Sequence, residues 1–209
     1  ASDITFDKIG HPTFTCSYHG EKIGTFSLLI PGTHNVSNAL ATIALARKLD
    51  IDVETIKEGF KTFMGTDRRF QYKGKVNGVT VIDDYAHHPT EITATLKSAV
   101  NYPHKETWCV FQPHTYTRTK ALLDDFARAL TLADKVILVD IYAAREKNTL
   151  GISSRDLQKK IQALGTECYY FPSFKEVESF CLDKCHPDDM LITMGAGDVV
   201  KIGETLITM

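Results

Sequence analysis

The sequence predicts an α/β fold: a mostly parallel sheet with helices on both faces, preceded by a β-hairpin and two helices. Three observations carry this expectation. Five short apolar runs, at 79–82, 108–111, 136–139, 168–171 and 190–193, alternate with amphipathic helical patterns over 90–100, 119–130, 154–164, 173–185 and 198–206. The runs lack polar–apolar alternation, broken only by Thr80 and Thr193, as expected of strands covered on both faces. Asn77-Gly78, just before the first run, is a hairpin signal, so one edge strand is expected to be antiparallel.

Taken in order, residues 12–30 alternate apolar and polar side chains around His19-Gly20, the pattern of a β-hairpin. After Pro31-Gly32, Val36, Leu40, Ile43, Ala44, Leu45 and Leu49 have helical spacing, and Val53, Ile56, Phe60 and Phe63 repeat it in a second helix. Glycine and charge interrupt the periodicity at 64–70, which places a domain boundary there and divides the chain into 1–66 and 67–209. Ser173 with Glu176 reads as a capping box, and Thr90 and Asp198 read as N-caps of the helices they open.

Composition narrows the function classes. The 209 residues are 43% hydrophobic and 24% charged, which excludes a disordered or collagen-like chain. With 24 basic and 26 acidic side chains the net charge is −2, so nucleic acid is disfavoured as a partner. No apolar run reaches the roughly 18 to 20 residues that cross a bilayer, and the first residues do not resemble a signal peptide. The expectation is a cytoplasmic protein without a membrane partner. Five scattered cysteines read as reduced thiols, and Cys181, Cys185 and His186 are not expected to bind zinc. One hairpin and two helices are too little for an independent core in the first 70 residues, so the chain is expected to be a piece of something longer.

Chemistry is expected at the carboxyl ends of the parallel strands, where loops converge and helix N-termini point outward. Asp83-Asp84-Tyr85-Ala86-His87-His88-Pro89-Thr90-Glu91 puts two carboxylates, a phenol and two imidazoles at one strand end; the alternative is a solvated, capped loop. Gln112-Pro113-His114-Thr115-Tyr116-Thr117-Arg118-Thr119 offers a guanidinium whose paired donors suit a carboxylate or phosphate, unless Arg118 is a surface ion-pair partner. Gly195-Ala196-Gly197-Asp198 is either a tight turn with a cap or a close approach to phosphate. Upstream, Asn35 and Asn38 share a helix face, and their amides suit the edge of a base, although asparagine is also a common N-cap. Arg68-Arg69 places charge where two domains would meet, or is simply a solvated linker. The G-x-x-x-x-G-K-[ST] phosphate loop is missing.

Gly32-Thr33-His34-Asn35-Val36-Ser37-Asn38-Ala39, Arg68-Arg69-Phe70, the 83–91 loop, the 112–119 loop and Met194-Gly195-Ala196-Gly197-Asp198 resemble, in this order, the Mur ligases of peptidoglycan synthesis. The resemblance covers essentially the whole chain. It implies the end of a central ATPase domain, up to about Thr66, followed by a complete C-terminal Rossmann-like domain. It further implies an ATP- and Mg2+-dependent ligase whose substrates are UDP-N-acetylmuramate and L-alanine. The magnesium would be held mainly by polypeptide outside this chain, and the chain alone would be inactive. Carried over residue by residue, Asn35 and Asn38 match the adenine-side asparagines, Arg69 the linker arginine near the ATP phosphates, and Asp84 the acid on the ribose hydroxyls. Arg69 and Asp84 thereby become the catalytic candidates. Tyr85, His87, His114 and Arg118 match the loops around the incoming amino acid, with Arg118 as carboxylate clamp and no residue as metal ligand. One departure stands out: some relatives carry arginine where this chain has Thr115, and a charged hydrogen-bonded contact is worth roughly 1.5 to 3 kcal/mol. Two alternatives remain, a recycling ligase that takes a murein tripeptide in place of alanine and a non-catalytic nucleotide-binding α/β module.

Overall fold

The computed structural model describes Ala1–Met209, and the chain divides into two units: Ala1–Thr66 with Ser98–Pro103, and Asp67–Lys97 with His104–Met209.

In the first unit, β1 (Ser2–Phe6), β2 (Pro12–Tyr18) and β3 (Glu21–Ser27) form an antiparallel sheet in the order β1-β2-β3. The β2–β3 hairpin turns at His19 and Gly20, whose φ angles of 49° and 85° match the twist of the flanking strands. The expected hairpin is therefore only part of the sheet. The extra strand β1 is exposed at every position, so its ladder to β2 holds it in place and no buried face marks it in the sequence. Helices α1 (Thr33–Lys48) and α2 (Val53–Thr62) cover the sheet. Phe14, Cys16, Phe26 and Leu28 pack against Val36, Ala39, Ile43 and Ile56. Leu45 and Leu49 of the predicted apolar run stay exposed, so the buried stripe of α1 is narrower than the run suggests. The Asp52 carboxylate caps α2 by accepting the Thr55 N–H at 2.9 Å.

The second unit is a six-stranded sheet in the order β4-β5-β9-β6-β7-β8. Strand β4 (Gln71–Val76) pairs antiparallel with β5 (Val79–Asp84) through Asn77 and Gly78, whose φ angles of 49° and 83° are those of the expected two-residue turn. The remaining strands, β6 (Thr107–Phe111), β7 (Lys135–Leu138), β8 (Glu167–Tyr170) and β9 (Met190–Met194), run parallel to β5. Every residue of β5, β6 and β9 is buried, which accounts for apolar runs without alternation.

Helices cover both faces. On one, α7 (Phe174–Lys184) and α8 (Val200–Ile207) supply Val177, Cys181, Ile202 and Leu206 against Val79, Trp108, Val110, Ile137 and Leu191. The other carries α3 (Pro89–Ala99), α4 (Tyr116–Ala121), α5 (Leu123–Leu130) and α6 (Ser154–Ala163), with Phe126 of α5 packed 5.6 Å from Phe111. Because β9 pairs with both β5 and β6, the last strand of the chain sits at the centre, and the ends of these three strands lie side by side.

Several helix ends differ from expectation. The helix expected over 119–130 is two, α4 and α5, divided at Leu122, where φ −113° and ψ 22° depart from helical values. Thr90 lies inside α3, which opens on Pro89, a residue that lacks the N–H a first turn cannot use. Asp198 does not cap α8; its carboxylate is occupied by Gln112 Nε2 at 3.2 Å, and Val199 takes the cap position. The Ser173–Glu176 capping box forms as read. A second one joins Ser153 to Asp156, where the shorter acid at the third position hid it.

Candidate active site

Four segments meet at the carboxyl ends of β5, β9 and β6: the entry to β4 at 67–70, and the loops at 85–88, 195–199 and 112–115. Arg68 ties the first three together. Its Nε donates to Asp83 Oδ2 at 2.9 Å, Nη1 to the Gly197 carbonyl at 3.1 Å and Nη2 to the Gly195 carbonyl at 2.6 Å. Its own carbonyl accepts the Tyr85 N–H, and its guanidinium lies 5.0 Å from the centre of the Tyr85 ring. Asp83 is fully buried and takes a second hydrogen bond from Thr193 Oγ1 at 2.7 Å. The glycine-rich turn is thus a packed structural turn. At Gly197 a Cβ would lie 2.2 Å from Gln112 Oε1 and 2.9 Å from the Tyr142 ring.

Asp84 is nearly as buried, and its carboxylate accepts the Phe70 N–H at 2.8 Å and the Ala86 N–H at 2.7 Å. Burial pushes its pKa above the usual aspartate value, against the lowering effect of those N–H groups, of Thr95 and of the nearby Arg69 charge. Asp84 therefore joins the 68–70 segment to the 85–88 loop. Arg69, in contrast, is exposed and leans over the Tyr85 ring at 5.8 Å.

Beyond Tyr85 the aromatic and imidazole groups form a contiguous row. Tyr85 and His87 meet edge to face at 5.3 Å, His87 and His114 at 5.7 Å, and His114 stacks on Tyr142 at 5.5 Å. His87 Nδ1 lies 3.0 Å from the Tyr85 carbonyl, and the His87 N–H donates to Glu91 at 3.1 Å. The structure thus assembles Tyr85, His87 and His114 as one group. Two buried nitrogen atoms in this region have no hydrogen-bond partner: His114 Nδ1 and Arg118 Nη1. Burial, followed by the charges of Arg118 and His87, depresses the His114 pKa, so the ring is neutral near pH 7. A neutral imidazole nitrogen that accepts and a guanidinium nitrogen that donates are both left without partners, an expensive arrangement unless a ligand completes it.

Asn35 and Asn38 belong to the first unit and are described there. Asn35 is not the N-cap of α1, a position held by Gly32 at φ 102°. Its Nδ2 donates to the Pro31 carbonyl at 2.7 Å, and its Oδ1 accepts from Asn38 Nδ2 at 3.0 Å. The two amides border a cleft whose other walls include Leu28, Ile30, Phe60 and Phe63. The cleft thus combines amide hydrogen-bonding groups with apolar walls. No group of three or more His, Cys, Asp or Glu side chains is placed to hold a metal ion.

Sequence reasoning passed over three contributors. Arg68 was paired with Arg69 without a sign of which one turns inward. Tyr142 and Glu146 lie in the segment that follows β7, a fourth strand-end loop, and nothing in its spacing announced contact with 113–117.

Comparisons with known proteins bear on the family and the fold. Residues 68–197 match the family model described as the Mur ligase glutamate ligase domain. UDP-N-acetylmuramate--L-alanine ligase of Lachnospira eligens is 58% identical over 207 residues, covering 99% of this chain and 45% of the relative. The enzyme of the same name from Agathobacter rectalis is 57% identical, covering 98% and 45%. Among solved structures, the UDP-N-acetylmuramate-alanine ligase of Thermotoga maritima superposes with a TM-score of 0.80 at 29% identity, covering 95% of this chain and 43% of that one. A murein peptide ligase from Psychrobacter arcticus gives 0.67 at 26% identity, covering 94% and 41%. The chain spans less than half the length of these relatives.

Proposed function

Since this chain belongs to the Mur ligase family, we propose that it forms the C-terminal part of an ATP-dependent ligase joining L-alanine to the lactyl carboxylate of UDP-N-acetylmuramate. A carboxylate is a poor electrophile. Phosphoryl transfer from ATP makes it an acyl phosphate, and the alanine amine then displaces phosphate, so one hard step becomes two feasible ones. The protein's work is to position reactants and neutralise phosphoryl charge.

The observation that carries this reading is the pair of buried, unpartnered nitrogen atoms, Arg118 Nη1 and His114 Nδ1. An amino acid is a zwitterion with an anionic acceptor at one end and donors at the other. Arg118 would take the carboxylate, and neutral His114 would accept an N–H of the amine, with Tyr85 and His87 beside them. The nearness of the chain to ligases named for alanine supports the small acceptor over a tripeptide.

For ATP, the fit rests on the chemistry of the residues present. The Asn35 and Asn38 amides border an apolar slot suited to adenine, and exposed Arg69 is free to meet phosphate. Asp84 already accepts from Phe70, Ala86 and Thr95, which leaves about one of its four acceptor positions for a ribose hydroxyl. Magnesium, when bound, would offset phosphoryl charge. Its ligands would come from polypeptide outside these residues, which bring no metal-binding cluster together.

The test is Arg118→Ala in the complete ligase. It should raise the KM for alanine by roughly 10- to 150-fold, the worth of a charged hydrogen-bonded contact, while the KM for ATP barely changes. Equal effects on both substrates would remove Arg118 from the amino-acid site.

A further inference from the structure

We propose that Glu146 is a positioning residue for the amino-acid site: it latches the loop after β7 onto the start of α4 and thereby sets where His114 and Arg118 stand. This inference rests on the reading of His114 and Arg118 given above.

Helix α4 has six residues and no side-chain cap of its own; the cap residue, Thr115, makes no such hydrogen bond. A helix this short leaves its first N–H groups to find partners elsewhere. Glu146, 29 residues away, provides them. Its Oε2 accepts the Thr117 N–H at 2.9 Å, and its Oε1 accepts the Thr117 hydroxyl. Those bonds, with smaller help from Tyr116 and Thr115, hold the Glu146 carboxyl below the ordinary glutamate range, so it is anionic at the electropositive end of the helix.

The latch extends backward along both loops. Tyr142 N–H donates to the Pro113 carbonyl at 2.8 Å, Thr115 N–H donates to the Tyr142 carbonyl at 2.9 Å, and His114 pairs with Tyr142 in a one-residue parallel bridge. Under this grip Thr115 adopts φ 67° and ψ 145°, a conformation that a β-branched residue keeps only when its surroundings impose it. The strained residue stands between His114 and Arg118, whose separation and direction depend on it. Glu146 thus acts on substrate through those two side chains, and both of its oxygens are occupied by Thr117.

The experiment measures KM for L-alanine and for ATP in the complete ligase carrying Glu146→Ala, Glu146→Gln or Thr117→Val, beside Arg118→Ala. Glu146→Ala should raise the alanine KM about tenfold, the scale of a lost helix cap, with the ATP KM within about twofold of wild type. Glu146→Gln, which keeps one acceptor for the Thr117 N–H, should recover most of the loss, and Thr117→Val should show a rise of about threefold. If Glu146→Ala does not fold, the Gln and Val variants are judged by the same split. An unchanged alanine KM in the latch variants while Arg118→Ala raises it would overturn the positioning role and leave the site reading intact. Parallel rises in both KM values would overturn it as a general loss of structure. No rise in Arg118→Ala would bring down the site reading and the latch with it.

Discussion

Arg68→Ala should be among the most damaging single substitutions in the second unit, and the structure fixes its size. The guanidinium holds Asp83, whose side chain has no solvent exposure, while the arginine side chain is 22% exposed. Truncation leaves the carboxylate with Thr193 Oγ1 alone and strips the Gly195 and Gly197 carbonyls of their donors. Breaking a buried pair in this way costs about 3 to 5 kcal/mol, and the partial exposure of Arg68 places the loss toward the lower figure. Water reaching the two carbonyls would limit their further cost to about 1 kcal/mol each. Trp108 is the single tryptophan and is buried in β6, so its fluorescence reports on this unit. With a urea slope of about 2 kcal/mol per molar, a total loss of about 5 kcal/mol should lower the midpoint by roughly 2.5 M. Arg68→Lys should recover only part of this, because the three donors of an ammonium radiate from one nitrogen and cannot span acceptors that the guanidinium reaches from three. A shift below about 0.5 M for Arg68→Ala would refute the argument. So would a double-mutant cycle with Asp83→Asn showing no coupling.

Three further outcomes are expected. His114 has a depressed pKa in the folded chain, so below its ordinary value of 6.5 the unfolded chain binds the proton more readily and stability declines as pH falls toward the native pKa. His114→Asn should flatten the stability profile over that window, and an unchanged slope in urea titrations at stepped pH would count against the assignment. Thr115→Gly should leave stability unchanged or raise it by about 1 kcal/mol, since relieving about 1 to 3 kcal/mol of strain outweighs glycine's entropy cost. It should also raise the alanine KM by loosening the loop, and a clear loss of stability would show that Thr115 is not strained. Gly197→Ala should cost about 1 to 3 kcal/mol, because Gln112 is fixed by Asp198 and by the Val199 N–H and has little freedom to yield. A thermal midpoint equal to wild type would show that the turn can open.

How much of this was legible in the sequence depends on the range of the forces involved. The parallel sheet was readable because burial on both faces removes the polar–apolar alternation from β5, β6 and β9, leaving runs at 79–82, 108–111 and 190–193 that are broken only by Thr80 and Thr193. The Asn77-Gly78 turn was readable because two successive positive φ angles select those residues. Strand β1 was not, since it is held by backbone pairing that any side chain allows. The split between α4 and α5 escaped because apolar spacing continues across Leu122 while the backbone does not. In the candidate site, the loops carrying Tyr85, His87, His114 and Arg118 stood out by their density of polar groups. Tyr142 and Glu146 did not, because their contacts with Pro113, Thr115 and Thr117 join distant parts of the chain. Asp84 was readable as an acid at a strand end, but its engagement by Phe70 and Ala86 depends on where the backbone of another segment turns.

That turn also explains why two adjacent arginines have opposite uses. Arg68 and Phe70 both have positive φ, at 59° and 47°, so the chain reverses sharply on either side of Arg69. Arg68 is directed inward onto Asp83 and two carbonyls, and Arg69 is left in solvent over Tyr85. A guanidinium with three acceptors already has little to gain from an anion, because a ligand would have to replace bonds that are in place. Of the three arginines at this site, Arg69 and Arg118 therefore have capacity to spare, one exposed and the other with a buried nitrogen unpaired. Their surroundings suit different anions. An exposed arginine can follow a mobile, highly charged phosphate. Arg118 stands beside a neutral imidazole and a fixed, strained loop, and can discriminate a single carboxylate by position. Exchanging the environments would lose both properties, so the inward turn of Arg68 is a structural precondition for the division of labour proposed for Arg69 and Arg118.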